Sequence, residues 1–364
     1  MNKIRSRRIA AVALHLTAGY AMAQTNVNVS GLIDGFAGSL KNSGDTARRS
    51  VVGSGGMTTS WWGLKGQEDL GSGLRAEVAL TGFMRIDTGE TGRFGADNMF
   101  SQNANVGLSG SWGKVQLGRA LAPNFLPNML FNPFGDSFTF SPLIVHSNVG
   151  SGPANARTWS ATNAGDTGWS NQVIYMTPEY GGLRGNFHYQ LGEVAGDSGK
   201  RNIGGNLLYF NGPLGLSAYY QDVQVGNPNP GPLIDATTIP INIASIVRQK
   251  TWFGGASYET ALAKMFATFR RSSNEARAGN AMEDRGSTIG LSAKLGQGVL
   301  LAAVGRAHRS GTLVGGGTIT RTTASFGYDY YLSKRVDVYA VMMNDKITRA
   351  NGANSVGFGI RHRF

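Results

Sequence analysis

The chain has no cysteine, so no disulfide framework can hold it together. No segment contains the roughly 18 consecutive apolar residues that a membrane-spanning helix needs. Charged residues make up only 15% of the chain, yet the aliphatic and aromatic content is too high for a disordered polypeptide. The five histidines form no H-E-x-x-H, no serine sits in G-x-S-x-G, and there is no P-loop. These absences remove the common hydrolase and nucleotide-binding readings, and nothing in the chain calls for a cofactor or a metal. What is abundant is glycine, at 53 residues against 11 prolines, with no G-X-Y period. Each glycine would cost a helix interior about 1 kcal/mol, whereas curved strands and turns accommodate it. The composition points to an all-β chain.

The first residues read as an export leader. Lys3, Arg5, Arg7 and Arg8 precede an apolar run from Ile9 to Leu16, and Ala21-Met22-Ala23 supplies the small residues of a cleavage site before Gln24. The expected organisation is a signal peptide over 1–23 and one exported domain over 24–364. Loss of the four leader cations takes the formal charge from +12 to +8. Basic character alone is compatible with nucleic acid, but an exported chain of this kind has no such partner.

Apolar and polar residues alternate with period two along much of the rest. Leu74, Ala76, Val78 and Leu80 interleave with Arg75, Glu77 and Thr81. Leu183, Phe187, Tyr189 and Leu191 interleave with Arg184, Asn186, His188 and Gln190. One apolar and one polar face per segment is the signature of a half-exposed strand. About sixteen such strands are expected, at 26–38, 57–68, 73–86, 98–110, 112–120, 170–178, 182–192, 201–210, 213–223, 248–258, 262–272, 284–295, 298–309, 320–332, 335–348 and 354–364. Of these, 201–210 and 298–309 alternate poorly. Tight turns such as "EDLGSGL" and "NGPLG" separate some neighbours, and longer polar stretches at 39–56, 87–97, 225–247, 273–283, 311–319 and 349–353 separate others.

A soluble sandwich would need a division into units of about 100 residues, and no linker or change of composition provides one. Tight turns at one end and long loops at the other, with an even strand number, fit an antiparallel transmembrane β-barrel with a polar interior. The final residues "VGFGIRHRF" alternate as well. Their strand is expected to close against the opening strand "NVNVSGLIDG", leaving no free edge.

"VNVSGLIDGFAG", "SWWGLKGQEDLGSGLRAEVAL", "NVGLSGSWGKVQLGRALAP", "QVIYMTPEYGG" and "YYLSKRVDVYAVMMND" with the closing "GFGIRHRF" together resemble the trimeric general porins of the Gram-negative outer membrane, in their β-proteobacterial branch. The resemblance covers essentially the whole exported chain. It implies a sixteen-stranded barrel, a homotrimer, contact with outer-membrane lipid and lipopolysaccharide, and passage of ions and small hydrophilic solutes. It also implies that Phe358, Ile360 and Phe364 serve as an assembly signal for the barrel assembly machinery. The third long loop, here 121–169, is implied to fold inward and narrow the pore. For its aromatics Phe125, Phe131, Phe134, Phe138 and Phe140, packing against the wall is favoured over a sugar-binding slide, since it needs only apolar burial.

By alternation Lys65, Arg75, Arg85, Arg184, Arg270, Arg361 and Arg363 point inward, with Glu77 opposing them. Trp61 shares their parity in its strand, while Trp62 faces out. Gln102, Arg119 and His188, with Asp136 and Arg157 on the loop, complete the expected lining. Basic rings in a narrow aqueous path favour anions, so a weak to moderate anion preference is expected. Placement at rims, or pairing with carboxylates and lipopolysaccharide phosphates, is the alternative for these cations. Arginines usual in the family are replaced by Trp61 and Gln102 and are absent near Gly168, which thins the implied arginine ladder. A substrate-specific channel for a sugar or aromatic solute, and an adhesin or receptor, are the alternative functions.

Overall fold

The computed structural model describes residues 26–93, 97–148, 167–225 and 245–364. The leader expected over 1–23 lies outside them. The strands are β1 (Asn26–Leu40), β2 (Arg49–Ser54), β3 (Trp61–Gly71), β4 (Leu74–Arg85), β5 (Glu90–Thr91), β6 (Asn103–Gly110), β7 (Gly113–Leu121), β8 (Gly168–Met176) and β9 (Leu183–Leu191). They continue as β10 (Arg201–Asn211), β11 (Leu214–Val223), β12 (Ile246–Glu259), β13 (Ala263–Ala276), β14 (Ala281–Leu295), β15 (Gly298–Ser310), β16 (Thr318–Tyr331), β17 (Val336–Ile347) and β18 (Ala353–Arg363). The short strands β2 and β5 belong to the loops after β1 and β4. The other sixteen form one closed antiparallel wall. Among the described residues no helix is long and apolar enough to cross a membrane.

Closure is made by the two ends of the chain. β1 pairs with β18 from Leu32↔Arg363 to Ser39↔Val356, and its other edge carries β3 and β2. Phe364 adds two further bonds: its N–H donates to the Gly31 carbonyl and its carbonyl accepts from the Gly31 N–H, both at 3.1 Å. The last residue is thus knitted into the wall, and no edge is left for another chain to extend.

Alternation puts the lipid-facing band where it was expected. Val29, Trp62, Leu64, Val78, Val106, Leu117, Phe187, Trp252, Phe269, Ile289, Phe326 and Phe358 all point outward and are exposed in the isolated chain. At the tight-turn end, Gly71, Ser72 and Gly73 all have positive φ, a conformation that costs glycine little and explains "GSG" at that corner.

Three local expectations are corrected. Residues 57–60 and 98–102 precede β3 and β6 instead of belonging to them. The stretch 273–283 is mostly strand, since β13 and β14 run through it up to a turn at 277–280. It reads as loop because its residues are polar, but they pair across the ladder: Gln249 donates to Asn274 at 2.6 Å, and Asn274 to Asp284 at 3.3 Å. The inner face is also not uniformly polar. Leu208, Tyr219, Phe253, Leu301, Val341 and Met343 are buried there against the third loop. This explains the poor alternation at 201–210 and 298–309, where Leu207-Leu208 and Leu300-Leu301 place apolar groups on both faces.

Candidate functional site

The third loop enters the barrel after β7. Its described part, 122–148, contains α1 (Phe125–Leu130) and α2 (Pro142–Asn148). Phe131, Phe134 and Phe140 are fully buried. Phe140 meets Phe36 of β1 edge-on at 6.0 Å, and Phe131 stacks on Phe210 of β10 at 5.8 Å. Wall packing is therefore what these rings do, and Phe138 alone of the five is only half-buried.

Hydrogen bonds pin the loop along its length. Asn206 donates to the Pro123 carbonyl at 2.8 Å, Ser137 to the Gly56 carbonyl at 2.7 Å, and Ser325 to the Phe140 carbonyl at 2.6 Å. Arg270 donates to the His146 carbonyl at 2.9 Å, and the His146 ring pairs with the Thr323 hydroxyl at 2.8 Å. Burial holds the His146 imidazole down at about 3, with the Arg321 cation adding to the effect, so it stays neutral. At the loop tip the Thr59 N–H donates to Asp136 at 3.3 Å. Burial pushes the Asp136 carboxyl up to about 6, and the nearby Asp34 carboxylate adds to the rise.

Beneath the loop the wall's inward charges are matched. Arg361 donates to Asp337 at 2.6 Å, pairs with Asp329, and reaches the Thr58 hydroxyl at 3.1 Å. Arg363 shares Asp337, Arg321 pairs with Asp345 at 2.8 Å, and Arg309 with Asp284 at 2.7 Å. Asp34 accepts from Tyr339 at 2.6 Å and from the N–H groups of Met57 and Thr58 at 2.8 and 2.7 Å. Such pairs in a low-dielectric wall hold strands and loop together. They present little net charge to the pore.

The arc from β3 to β9 is different, because the loop leaves part of it open. A cavity of about 430 Å³ there is lined by Asn28, Lys65, Gln67, Glu77, Asn105 and Lys114, among others. Glu77 accepts from Lys114 at 2.5 Å and from Ser109 at 2.6 Å. Lys65 and Arg75 are exposed, and so is Arg184, which lies 3.4 Å from the exposed Glu179. The Lys65 ammonium stands 5.6 Å from the ring centre of Trp61. Trp61 is half-buried, with Gly63 between it and Lys65 on the same face, while Trp62 is exposed outward.

The expected lining residues thus divide. Lys65, Arg75, Glu77 and Arg184 border open space, and Trp61 and Arg85 are half-buried, Arg85 in a 2.8 Å pair with Glu90. Arg270 lies under the loop, Arg361 is buried in the wall beside Thr58, and Asp136 is buried on the loop itself. Gln102 accepts from Thr81 at 2.8 Å, and His188 pairs with Gln172 at 3.0 Å beside the Trp169 ring. Arg119 donates to the Ser101 carbonyl at 2.7 Å and to Ser170 at 3.0 Å, and its guanidinium covers Gly168. Gln102, His188 and Arg119 are all buried in the wall. Arg157 lies outside the described residues. Parity finds the inward face but not the loop's footprint on it. For this reason the anchoring Asn206, Thr323 and Ser325 escape a reading by alternation, whereas Lys114 shares its face with Gln116 and was open to that reading.

A tube closed by hydrogen bonds, apolar outside, polar within and narrowed by an internal loop is the geometry of an aqueous passage through a membrane. Residues 10–349 match the family model described as Gram-negative porin. Outer membrane porin protein 32 of Delftia acidovorans is 29% identical over 92% of this chain and 87% of its own. An outer membrane porin protein of Bordetella pertussis is 28% identical over 98% and 99%. Among solved structures, an anion-selective porin from Comamonas acidovorans superposes with a TM-score of 0.71 at 24% identity, covering 94% of this chain and all of that one. A trimer form of OmpT from Vibrio cholerae gives 0.64 at 14%, covering 93% and 99%. Family, fold and interior agree: this chain belongs to the Gram-negative porin family and is an outer-membrane channel, not an enzyme.

Proposed function

We propose that the channel passes small hydrophilic solutes and ions by diffusion, with a weak to moderate preference for anions. One observation carries the preference: the open arc exposes Lys65 and Arg75 to the water path, whereas Arg184 has Glu179 beside it and the buried inward arginines Arg321 and Arg361 are matched by Asp345, Asp329 and Asp337. Mobile anions therefore meet a small cationic excess, consistent with the anion-selective porin that shares this fold. Selectivity by fixed charge is screened over about 10 Å at 0.1 M salt, so the preference fades as salt rises. The test is the reversal potential of purified protein in a bilayer under a potassium chloride gradient. An anion-selective potential that shrinks with ionic strength is expected, and a cation-selective one in dilute salt contradicts the reading.

The proposed assembly is a homotrimer joined through the outer face of β1, β2 and β18. A groove of about 470 Å³ there is lined by Gly35, Ala37, Val52, Ile86, Phe358 and Ile360, with Val52 76% exposed. Small residues beside large apolar ones let a second wall approach closely. Above the apolar band on β13 to β15, the outward Arg271, Arg285, Arg306 and His308 lie in neighbouring rows. Arg271 and Arg285 share Glu283 there, so the rows keep a net positive charge that suits the phosphates of lipopolysaccharide. The leader over 1–23 and the assembly role of Phe358, Ile360 and Phe364 complete the proposal.

A further inference from the structure

The wall beneath the third loop carries glycine at several places where the loop comes close. An added Cβ on Gly290 (β14) would stand 2.5 Å from Pro133 Cδ and 2.9 Å from Cγ. On Gly357 (β18) it would meet the Phe140 ring at 2.7 Å, on Gly305 (β15) Pro142 at 3.0 Å, and on Gly255 (β12) Phe131 at 3.1 Å. Gly204 (β10) faces Pro123 at 3.0 Å and Gly327 (β16) Phe134 at 3.5 Å. The register puts all six on the inward face of six strands, spread over most of the arc that the loop covers. None has the positive φ that favours glycine, so any residue suits the backbone there. What excludes a side chain is space: the loop takes it first at Gly290, Gly357 and Gly305, while at Gly204, Gly255 and Gly327 the nearest atoms belong to Tyr220, Phe253 and Val341 of the wall and the loop comes after them.

We infer that these glycines set the channel's size limit: they are a seat that lets the loop lie flush with the wall, and the bore is what remains. Gly290 is the cleanest member, because after the two Pro133 atoms its next neighbour, the Ala302 carbonyl, is at an ordinary 3.4 Å. A methyl group on Gly290 must displace either the strand or the loop. β14 is paired without interruption to β13 from Ala263↔Ala293 to Glu275↔Ala281, and to β15 from Glu283↔Ser310 to Leu295↔Gly298. The loop is held by scattered side-chain bonds. Overpacking is relieved where the structure is softest, so the loop moves inward and the bore narrows. This rests on the channel alone and is independent of ion preference, since neutral solutes report it.

The test compares Gly290→Ala with Gly286→Ala in single-channel conductance and in liposome permeation by neutral sugars of graded size. Gly286 is an inward glycine of the same strand, and a Cβ there meets nothing closer than 3.8 Å. Gly290→Ala is expected to lose conductance and to exclude the largest sugar that wild type admits, while Gly286→Ala keeps both. Adding Pro133→Ala, which removes the two crowded atoms, is expected to restore wild-type passage. Wild-type behaviour of Gly290→Ala overturns the inference. So does a loss shared equally by Gly286→Ala, or one that Pro133→Ala does not reverse. Should Gly290→Ala fail to assemble, Gly357→Ala with Phe140→Leu as the relieving change is read by the same outcomes.

Discussion

Arg361 shows how one side chain's role changes once its neighbours are known. By parity it is an inward cation and a candidate for drawing anions through the pore. In the structure it is buried between Asp329 and Asp337 and reaches Thr58 in the segment before β3. Its removal leaves Asp329 without its cation in a low-dielectric site and Asp337 with Arg363 alone. Breaking a buried pair in this way costs about 3–5 kcal/mol. Arg361→Ala is therefore expected to lower the heat resistance of the folded barrel and to leave the reversal potential close to wild type. A clear shift of selectivity with unchanged heat resistance would place Arg361 on the water path instead. Lys65 is the contrasting case: exposed, on the open arc, with its charge available to solutes.

At the scale of elements, the strands were legible and the loop's footprint was not. All sixteen wall strands were readable because lipid imposes an apolar outer face, and period two survives wherever the inner face meets water. The reading weakened at β10 and β15, where Leu208 and Leu301 turn apolar groups inward to meet the loop. It misjudged the tops of β13 and β14, where Asn274 and Asp284 pair across strands. The loop's inward course was implied by the family resemblance, while its length and aromatics said only that it is an ordered element; which wall residues it covers depends on a path that no local pattern encodes. That path buries Asp136 at the tip, which leads to a pH effect. With its carboxyl near 6 against an ordinary 3.8, the folded state holds the proton more tightly than the unfolded chain does. Its contribution is most favourable below about pH 4 and declines as pH rises. Above about pH 6 the full penalty of a buried carboxylate is present. His146 is neutral in the folded chain and protonates below about 6.5 in the unfolded one, so it adds a slope of the opposite sign over this window, which cancels when the Asp136 variant is compared with wild type. Asp136→Asn should gain heat resistance relative to wild type at about pH 8, and the gain should shrink toward about pH 4. A difference that does not vary with pH would rule this account out.

For the whole molecule the decisive contact joins the two ends of the chain. A barrel is stable in lipid only when its last strand finds its first, because an open edge would leave backbone groups unpaired where no water can reach them. Here the closing seam runs from Ser39↔Val356 to Leu32↔Arg363, and Phe364 finishes it with two bonds to Gly31. The Phe364 ring faces outward over Gly31, whose missing side chain leaves room for it, since a Cβ there would stand 2.6 Å from the ring. Deleting Phe364 removes two of many seam bonds, so a barrel that has closed should keep most of its heat resistance. The free strand, however, loses the aromatic end by which it is proposed to be recognised before closure. The deletion is therefore expected to reduce the amount of folded protein reaching the outer membrane under limiting expression, while the fraction that arrives unfolds near the wild-type temperature. Full assembly at limiting expression would remove the recognition role. Normal assembly with a large loss of heat resistance would make Phe364 a structural clasp only.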